Sequence, residues 1–249
     1  MFLLLMLLLF TKNGNTGNIK TDEITTKNLP PATIKHYPFI VGISYVDSLA
    51  SQMFCTGSLI EESWVLTAGD CVAKQREYFI TYTKTTNYQQ SFVDVKVLRR
   101  ILHPEYTKHN HAKNIGLMKI EKVNDISTYA QLSTSDYTKR VMLPVLYARY
   151  SYKKCALHLE RMHISHCPNK DVKLKKFICV DTTPSTLFYD GVHLLHNHTK
   201  VIGIYSGMTK RFVRISDHYH WIREQREKDP LSILSVALNV EIDDEGSQN

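Results

Sequence analysis

Short apolar runs with polar residues between them follow one another along most of the chain. Each run is four to eight residues long, is rich in Val, Ile, Tyr and Phe, and is bounded by polar or turn-forming residues. The runs are FIVGISYV (39–46), SWVLTAG (63–69), YFITYTK (78–84), SFVDVKVL (91–98), NIGLMKI (114–120), FICV (177–180) and VIGIYSG (201–207). This pattern predicts an all-β protein, built as an antiparallel barrel or sandwich rather than from alternating βαβ units.

Helical periodicity is scarce, and one helix is predicted near the end of the chain, over SDHYHWIREQREK (216–228). Ser216 is placed to cap the start of this helix, and basic residues occupy its last turn. The predicted architecture is therefore a β-rich body closed by a single C-terminal helix.

The first ten residues, MFLLLMLLLF, form an apolar run that a polar stretch follows. We interpret residues 1–17 as a secretory signal peptide cleaved near Gly17, and 18–36 as an N-terminal segment. The alternative is a stray hydrophobic terminus or a mis-called start, because no basic residue precedes the run. No run reaches the roughly 18 apolar residues that a membrane-spanning helix needs. We therefore expect a secreted, extracellular protein with no membrane span.

The charge balance adds a basic body to this picture. The 249 residues carry a net charge of +7, although the last nine, EIDDEGSQN, hold four acids and no base. A basic body could meet an anionic polysaccharide, an anionic membrane or a nucleic acid. For a secreted domain we favour a solvated basic surface over any of these partners, and we expect no nucleic-acid partner.

Four motifs stand in a fixed order along the chain. They are CTGSLIEESWVLTAGDC (55–71), ILHPEY (101–106) followed by NIGLMKI, VIGIYSG, and FVRISDHYHWI (212–222). Together they resemble the trypsin/chymotrypsin-like serine peptidases over about residues 37–226. The resemblance implies two antiparallel β-barrels with a cleft between them and a C-terminal helix. It leaves 227–249 as an acidic C-terminal tail.

The resemblance also assigns the positions of the family's catalytic triad. The residue before the second cysteine of the first motif is, in the family, the histidine that takes the proton from the nucleophilic serine. Here that residue is Asp70, and Asn114 stands where the family has the acid that orients the histidine. Asp190, in FYDGVHLL, falls at the serine position, and Ser185, in TTPST, is a rival nucleophile.

These replacements remove the chemistry that the family performs. A serine hydroxyl needs an adjacent base with a pKa near the working pH, and an ordinary aspartate, at ~3.9, is about three units too acidic. Phe188 stands where a glycine normally helps to shape the oxyanion hole, and Tyr189 replaces the acid that pairs with the new N-terminus after activation. After Gly207 the chain continues as MTKR, which is too short for the disulfide-bound loop beside the substrate pocket of the family.

The chain has five cysteines, which suits an exported protein with a few bridges and one thiol left over. The resemblance implies the pairs Cys55–Cys71 and Cys167–Cys179. Cys155 is then the odd thiol, either buried and inert, which we favour, or part of an intermolecular bridge.

Several surface positions are candidates for modification or binding. Asn197-His198-Thr199 is an N-glycosylation sequon, usable if the chain enters the secretory pathway. Basic residues cluster beside the altered pocket and between the second pair of cysteines, and they are candidates for an anionic glycan or for a solvated surface. They are Lys210, Arg211 and Arg214, and Lys170, Lys173, Lys175 and Lys176.

We expect no cofactor and no metal. The 12 histidines are scattered over separate segments, although some lie in close-spaced pairs. If Asp70, Asn114 and Asp190 converge, one of the two carboxyl groups should titrate with a raised pKa, because like charges repel. A calcium ion bound by the three side chains is the alternative that we disfavour.

We therefore interpret the chain as a secreted, non-catalytic serine protease homologue that acts by binding proteins. It would be a cofactor for an active protease, a decoy for a protease inhibitor, or a scaffold that meets an extracellular receptor. The alternatives are a serine-type endopeptidase of the trypsin-like family with a rearranged site, and a basic glycan-binding module.

Overall fold

The structure is a computed structural model, and it describes residues 37–47, 50–86, 89–126, 128–137, 144–151, 156–167, 176–181 and 190–229. The predicted signal peptide, the acidic tail beyond 229 and several shorter stretches lie outside these ranges. The all-β prediction is confirmed, because thirteen strands make up most of the described chain.

Six strands of the N-terminal half form a closed barrel in the order β1-β2-β3-β6-β5-β4. They are β1 (Ile40–Asp47), β2 (Ala50–Glu61), β3 (Trp64–Thr67), β4 (Tyr78–Thr86), β5 (Gln89–Leu102) and β6 (Gly116–Ile120). All of their pairings are antiparallel. Inward residues such as Ile43, Leu59, Ile80 and Leu117 are fully buried and form the core of this first barrel.

The C-terminal half forms a second closed ring of strands. They are β7 (Gln131–Leu132), β8 (Pro144–Ser151), β9 (Ala156–Ser165), β10 (Phe177–Val180), β11 (His193–His196), β12 (Lys200–Ser206) and β13 (Arg211–Arg214). The order is β11-β8-β9-β10-β13-β12-β7, and β11 also pairs with β12, which closes the ring of six. The short strand β7 adds to β12 in parallel. The expectation of two antiparallel barrels is therefore confirmed.

Hydrophobic side chains on both faces of some strands join the two barrels. In β11, Leu194 packs in the second core while Leu195 packs with the first. In β12, Ile202 packs in the second core while Val201 packs with the first. Because burial on both faces removes water from the whole strand, the hairpin of β11 and β12 is a common wall between the two cores.

The C-terminal helix packs against the first barrel. The helix α2 spans Tyr219–Glu227, and a one-turn helix, α1, spans Gly69–Val72. Ile222 of α2 is fully buried in the first core. Just beyond the helix, the Asp229 carboxylate forms an ion pair with the Lys119 ammonium at 2.6 Å. The same ammonium lies 4.8 Å from the centre of the Trp64 ring. Both partners of this ion pair are nearly buried, so it ties the end of the helix to β6.

The prediction that Ser216 caps this helix is wrong. Ser216 lies within a short 3-10 helix, Ile215–Asp217, and α2 begins after His218, which makes no side-chain capping bond. The 3-10 turn, whose Ile215 is fully buried in the first core, occupies the positions that were predicted to start the helix.

The structure contains two disulfide bonds, Cys55–Cys71 and Cys167–Cys179, and these are the pairs that the resemblance implies. The first bond joins β2 to α1, and the second joins the residue two beyond β9 to β10. Cys155 lies outside the described residues.

Removing the first disulfide should destabilise the fold. The bond closes an interval of 16 residues, so Cys55→Ser together with Cys71→Ser should lower the free energy of unfolding by about 3 kcal/mol, mainly by freeing the unfolded chain. Urea denaturation measures the change, and Cys155→Ser, which removes a thiol but neither bond, is the matched control. Peptide mapping without reduction gives an independent check, and a Cys155–Cys167 bridge there would contradict the pairing.

Acid should also destabilise the fold, because three of the described histidines, His103, His193 and His218, are buried and burial lowers the pKa of each. His193 of β11 is fully buried, both of its ring nitrogens lack a partner among the described residues, and burial lowers its pKa to about 3. Burial likewise lowers the pKa of His218 to about 4. Below pH ~6.5 the unfolded chain binds protons that the folded chain rejects, so stability falls as pH falls.

The expected slope is about 1.4 kcal/mol per pH unit for each histidine that is protonated only in the unfolded chain. It extends down to about pH 3 for His193 and about pH 4 for His218. Urea denaturation at several pH values should show a weaker acid dependence for His193→Leu than for the wild type. The exposed His109→Gln is the control, and an unchanged slope in His193→Leu would refute the assignment.

Candidate functional site

The first element of the site is the turn that carries Asp70. Asp70 is the second residue of the short helix α1 and directly precedes Cys71, which forms the disulfide with Cys55. The preceding Gly69 packs against the site so closely that an added Cβ would lie 2.8 Å from the Tyr106 ring and 3.0 Å from the side-chain oxygen of Asn114. Only a glycine leaves room for this approach, and it brings Asp70 directly against Asn114.

Asn114 is fully buried, and its amide joins the two barrels. Its side-chain oxygen accepts the backbone N–H of Asp70 at 2.8 Å, and its NH₂ group donates to the Asp70 carboxylate at 2.6 Å. The same NH₂ group donates to the hydroxyl of Ser206, at the end of β12, at 3.0 Å. The Tyr106 hydroxyl donates to the other carboxylate oxygen of Asp70. Every polar atom of the Asn114 side chain is therefore engaged.

Asp190 reaches the same region from the second barrel. Its backbone oxygen accepts the N–H of Thr56, and it forms an isolated parallel bridge with Cys55 of β2. Its carboxylate accepts the N–H of Gly207 at 2.6 Å. Since Gly207 directly follows Ser206, the Asp190 carboxylate and the Asn114 amide are held by neighbouring residues.

The residue after Asp190 has to be glycine. Gly191 has a φ of +81°, and an added Cβ would lie 2.2 Å from the backbone oxygen of Thr56 and 2.4 Å from the hydroxyl of Thr67. The Thr67 hydroxyl itself donates to that backbone oxygen at 2.8 Å. This close approach presses the Asp190 segment against the first barrel.

The electrostatics of the site follow from its burial and its acids. Burial raises the pKa of Asp190, the nearby Asp70 carboxylate adds to the rise, and the Gly207 N–H opposes it. Burial and the hydrogen bond to Asp70 raise the pKa of Tyr106, and burial together with Asp190 raises the pKa of Tyr205 to about 12. A raised carboxyl pKa was expected from the sequence, and burial is its main cause.

A family model described as Trypsin matches residues 28–211, which is most of the chain. The chain belongs to the trypsin family. It is 27% identical to a phenoloxidase-activating enzyme of Bombyx mori over 134 residues, which are 43% of this chain and 30% of that protein. It is 34% identical to trypsin-1 of Salmo salar over 80 residues, 31% of this chain and 32% of that protein. The chain thus spans about a third of the length of these curated relatives.

Solved structures show the same trypsin fold. HL collagenase superposes with a TM-score of 0.63 at 19% identity, over 78% of this chain and 95% of that one. The scabies mite inactivated protease paralogue S-I1 superposes with a TM-score of 0.62 at 16% identity, over 79% and 97% of the two chains. At these identities the likeness concerns the fold alone.

Within this trypsin fold, the described part of the site holds acids, an amide and hydroxyl groups. No histidine hydrogen-bonds to Asp70, Asn114, Ser206 or Asp190 among the residues that the structure describes. The Ser206 hydroxyl oxygen accepts a hydrogen bond from the Asn114 NH₂ group. An amide NH₂ group is a hydrogen-bond donor and cannot act as the base that removes a serine proton. Ser185, Phe188 and Tyr189 lie outside the described residues.

The described candidate glycan-binding residues differ in their exposure to solvent. Arg214 is buried, and its guanidinium lies 3.4 Å from Asp136 and 3.5 Å from Asp217. The assignment of Arg214 as a glycan contact stays a prediction, and the burial of this side chain and its pairing with two acids argue against it. Lys210 is exposed and Arg211 half-buried. Lys176 is exposed as well, whereas 168–175, which holds the other three lysines, lies outside the described residues.

Neither a metal cluster nor a membrane helix emerges from the described residues. No group of three or more His, Cys, Asp or Glu side chains there is arranged to hold a metal ion. Likewise, none of the helices in the described ranges has the length and apolar composition to cross a membrane.

Tyr106 and Ser206 belong to the site, although neither was assigned to it from the sequence. Both lie in motifs that carry the family resemblance, ILHPEY and VIGIYSG, so a signal was present. Their role escaped notice because each contacts a residue that is distant in sequence: Tyr106 contacts Asp70, and Ser206 contacts Asn114.

Neutralising Asp190 should stabilise the protein at neutral pH. The folded pKa of Asp190 is raised, so the folded state loses stability as pH rises from the unfolded value of ~3.9 through the folded value. Asp190→Asn removes the buried charge, and its side-chain oxygen can still accept from Gly207. We expect a higher urea midpoint at pH 7 and a smaller gain at pH 4. The exposed Asp94→Asn is the control, and its free energy of unfolding should stay within about ±0.5 kcal/mol of the wild-type value. A lower urea midpoint for Asp190→Asn at pH 7 would disprove the charge effect.

Proposed function

We propose that this member of the trypsin family is non-catalytic and acts outside the cell by binding proteins. Its partner would be an active protease, a protease inhibitor or an extracellular receptor. The observation that carries the proposal is the closed hydrogen-bond network of Asp70, Asn114 and Ser206.

This network leaves no group that could activate a nucleophile. The Asp70 carboxylate accepts hydrogen bonds from Tyr106 and Asn114. The NH₂ group of Asn114 donates its hydrogen bonds to Asp70 and Ser206. A serine attacks an acyl carbon only when a neighbouring base takes its proton, and in the family this base is an imidazole that an acid orients. An aspartate and an asparagine at these positions supply neither member of that pair.

The residue that the resemblance assigns to the nucleophile position supports the same proposal. This residue is Asp190; its carboxylate accepts a hydrogen bond from the Gly207 N–H and lies near the Asp70 carboxylate. Two acids in one partly buried site repel the negative charge that develops on the substrate oxygen during acyl transfer. The electrostatics therefore oppose the transition state that the family stabilises.

The names of similar proteins include both an inactivated protease and an enzyme. The scabies mite neighbour is described as an inactivated protease paralogue, and it shares the fold over most of its length, which supports a non-catalytic role. The Bombyx mori relative is named as an enzyme, which keeps open an endopeptidase with a rearranged site. In that alternative Ser185 would be the nucleophile, and it would need a base other than Asp70.

The disulfides support the extracellular location that we propose. The bonds Cys55–Cys71 and Cys167–Cys179 form and persist in oxidising compartments, so they support export of the chain. The signal peptide at 1–17 and the N-terminal segment at 18–36 remain part of this proposal, as do the domain limits of 37–226 and the tail of 227–249.

The protein should show no peptidase activity. Purified protein, with or without prior trypsin treatment and removal of that trypsin, should cleave peptide esters and amides no faster than buffer. It should also resist a serine-directed fluorophosphonate, because no serine in the described site has an adjacent base. Activity assays and mass spectrometry of the probe-treated protein measure both outcomes, with active trypsin as the positive control.

Two variants locate any labelled serine. If the probe reacts, Ser185→Ala and Ser206→Ala show which hydroxyl is responsible. Labelling that one of these substitutions abolishes, together with turnover above buffer, would end the non-catalytic proposal and favour the rearranged endopeptidase.

A further inference from the structure

The hairpin turn between β11 and β12 presents an asparagine whose side chain is exposed. The turn consists of Asn197, His198 and Thr199, and Asn197-His198-Thr199 is the one Asn-X-Ser/Thr sequence in the whole chain. Asn197 and His198 are exposed, with φ angles of +49° and +63°. Asparagine tolerates this left-handed conformation better than most residues, so the turn itself gives one reason for Asn197.

The neighbours of the turn hold its backbone and its second residue. The Thr199 N–H donates to the Asn197 backbone oxygen at 2.7 Å, and the Gln131 N–H donates to the Thr199 oxygen at 2.9 Å. The His198 ring hydrogen-bonds to the Tyr37 hydroxyl and lies 5.9 Å from the Tyr37 ring. By contrast, the side-chain amide of Asn197 makes no hydrogen bond within the described part of the chain. The turn is thus anchored while this amide faces solvent.

The compartment that the fold requires is also the one in which such an amide is modified. Both disulfides need an oxidising environment, and the lumen of the eukaryotic secretory pathway supplies this environment together with N-glycosylation. We propose that Asn197 carries an N-linked oligosaccharide. The Asn197 amide nitrogen attacks the anomeric carbon of a lipid diphosphate-linked sugar donor. A C–N bond forms, the C–O bond to the lipid diphosphate breaks, and one amide proton is lost.

The turn and the acidic site lie at opposite ends of one strand. Strand β12 begins at Lys200, next to the turn, and ends at Ser206, which bonds to Asn114. Six steps along a strand, at about 3.3 Å each, separate the two ends by about 20 Å. The attachment point of the glycan is therefore next to His198 and its contact with Tyr37, at the far end of β12 from Ser206.

The test uses the full-length wild-type chain secreted from a eukaryotic host. Treatment with a peptide N-glycosidase should lower the apparent mass in a single step. When the treatment is done in heavy-oxygen water, mass spectrometry should find the label on the side chain of residue 197. An unchanged mobility together with an unmodified Asn197 peptide would overturn the proposal, and this measurement needs no variant.

A matched pair of substitutions distinguishes the effect of the Asn-X-Thr sequence on glycosylation from the effect of the turn conformation. Thr199→Ser retains the sequon and should keep the mass shift, whereas Thr199→Ala removes it and should lose the shift. Asn197→Asp preserves a residue that tolerates the left-handed backbone and should also lose the shift. A shift that persists in both Thr199→Ala and Asn197→Asp would place the glycan elsewhere and refute the assignment.

Discussion

The hairpin of β11 and β12 is buried on both faces, and the arrangement of the site depends on it. One face packs in the core of the second barrel through Leu194 and Ile202, and the other packs with the first core through Leu195 and Val201. A strand enclosed in this way cannot shift without exposing apolar surface, at about 25 cal/mol per Å². The residues at its end are therefore fixed relative to the first barrel. This is how Ser206 and Gly207 come to meet Asn114 and Asp190.

The polar contacts between the barrels follow from the same constraint. A buried amide that lacked partners would cost about 1–3 kcal/mol, and Asn114 avoids this by bonding to Asp70 in the first barrel and Ser206 in the second. Asp190 is unfavourable in this respect, because it brings a second carboxylate into a partly buried site that already contains Asp70.

Much of the fold could be predicted from the sequence, and the exceptions have a physical explanation. The runs at 78–84 and 177–180 became β4 and β10, because one face or both faces of each are buried and the local pattern records this. Strand β9 was not predicted. Leu159 packs with the first core, whereas Met162 and Ile164 pack with the second. Strand β12 also contributes to two cores, but its sequence is a continuous apolar run, whereas histidine and charged residues interrupt the apolar positions of ALHLERMHIS in β9.

The candidate site divides in the same way. The acid before Cys71, the asparagine at the start of NIGLMKI and the spacing of the cysteines are visible in the chain, because each belongs to a local motif. The contact between Tyr106 and Asp70 and the inward direction of Arg214 are not visible, because they depend on segments that are distant in sequence and meet only in the folded chain. Local patterns record which face of an element is buried, since the side chains on that face must be apolar. They do not record which distant residue lies opposite, and that depends on the packing of the two barrels.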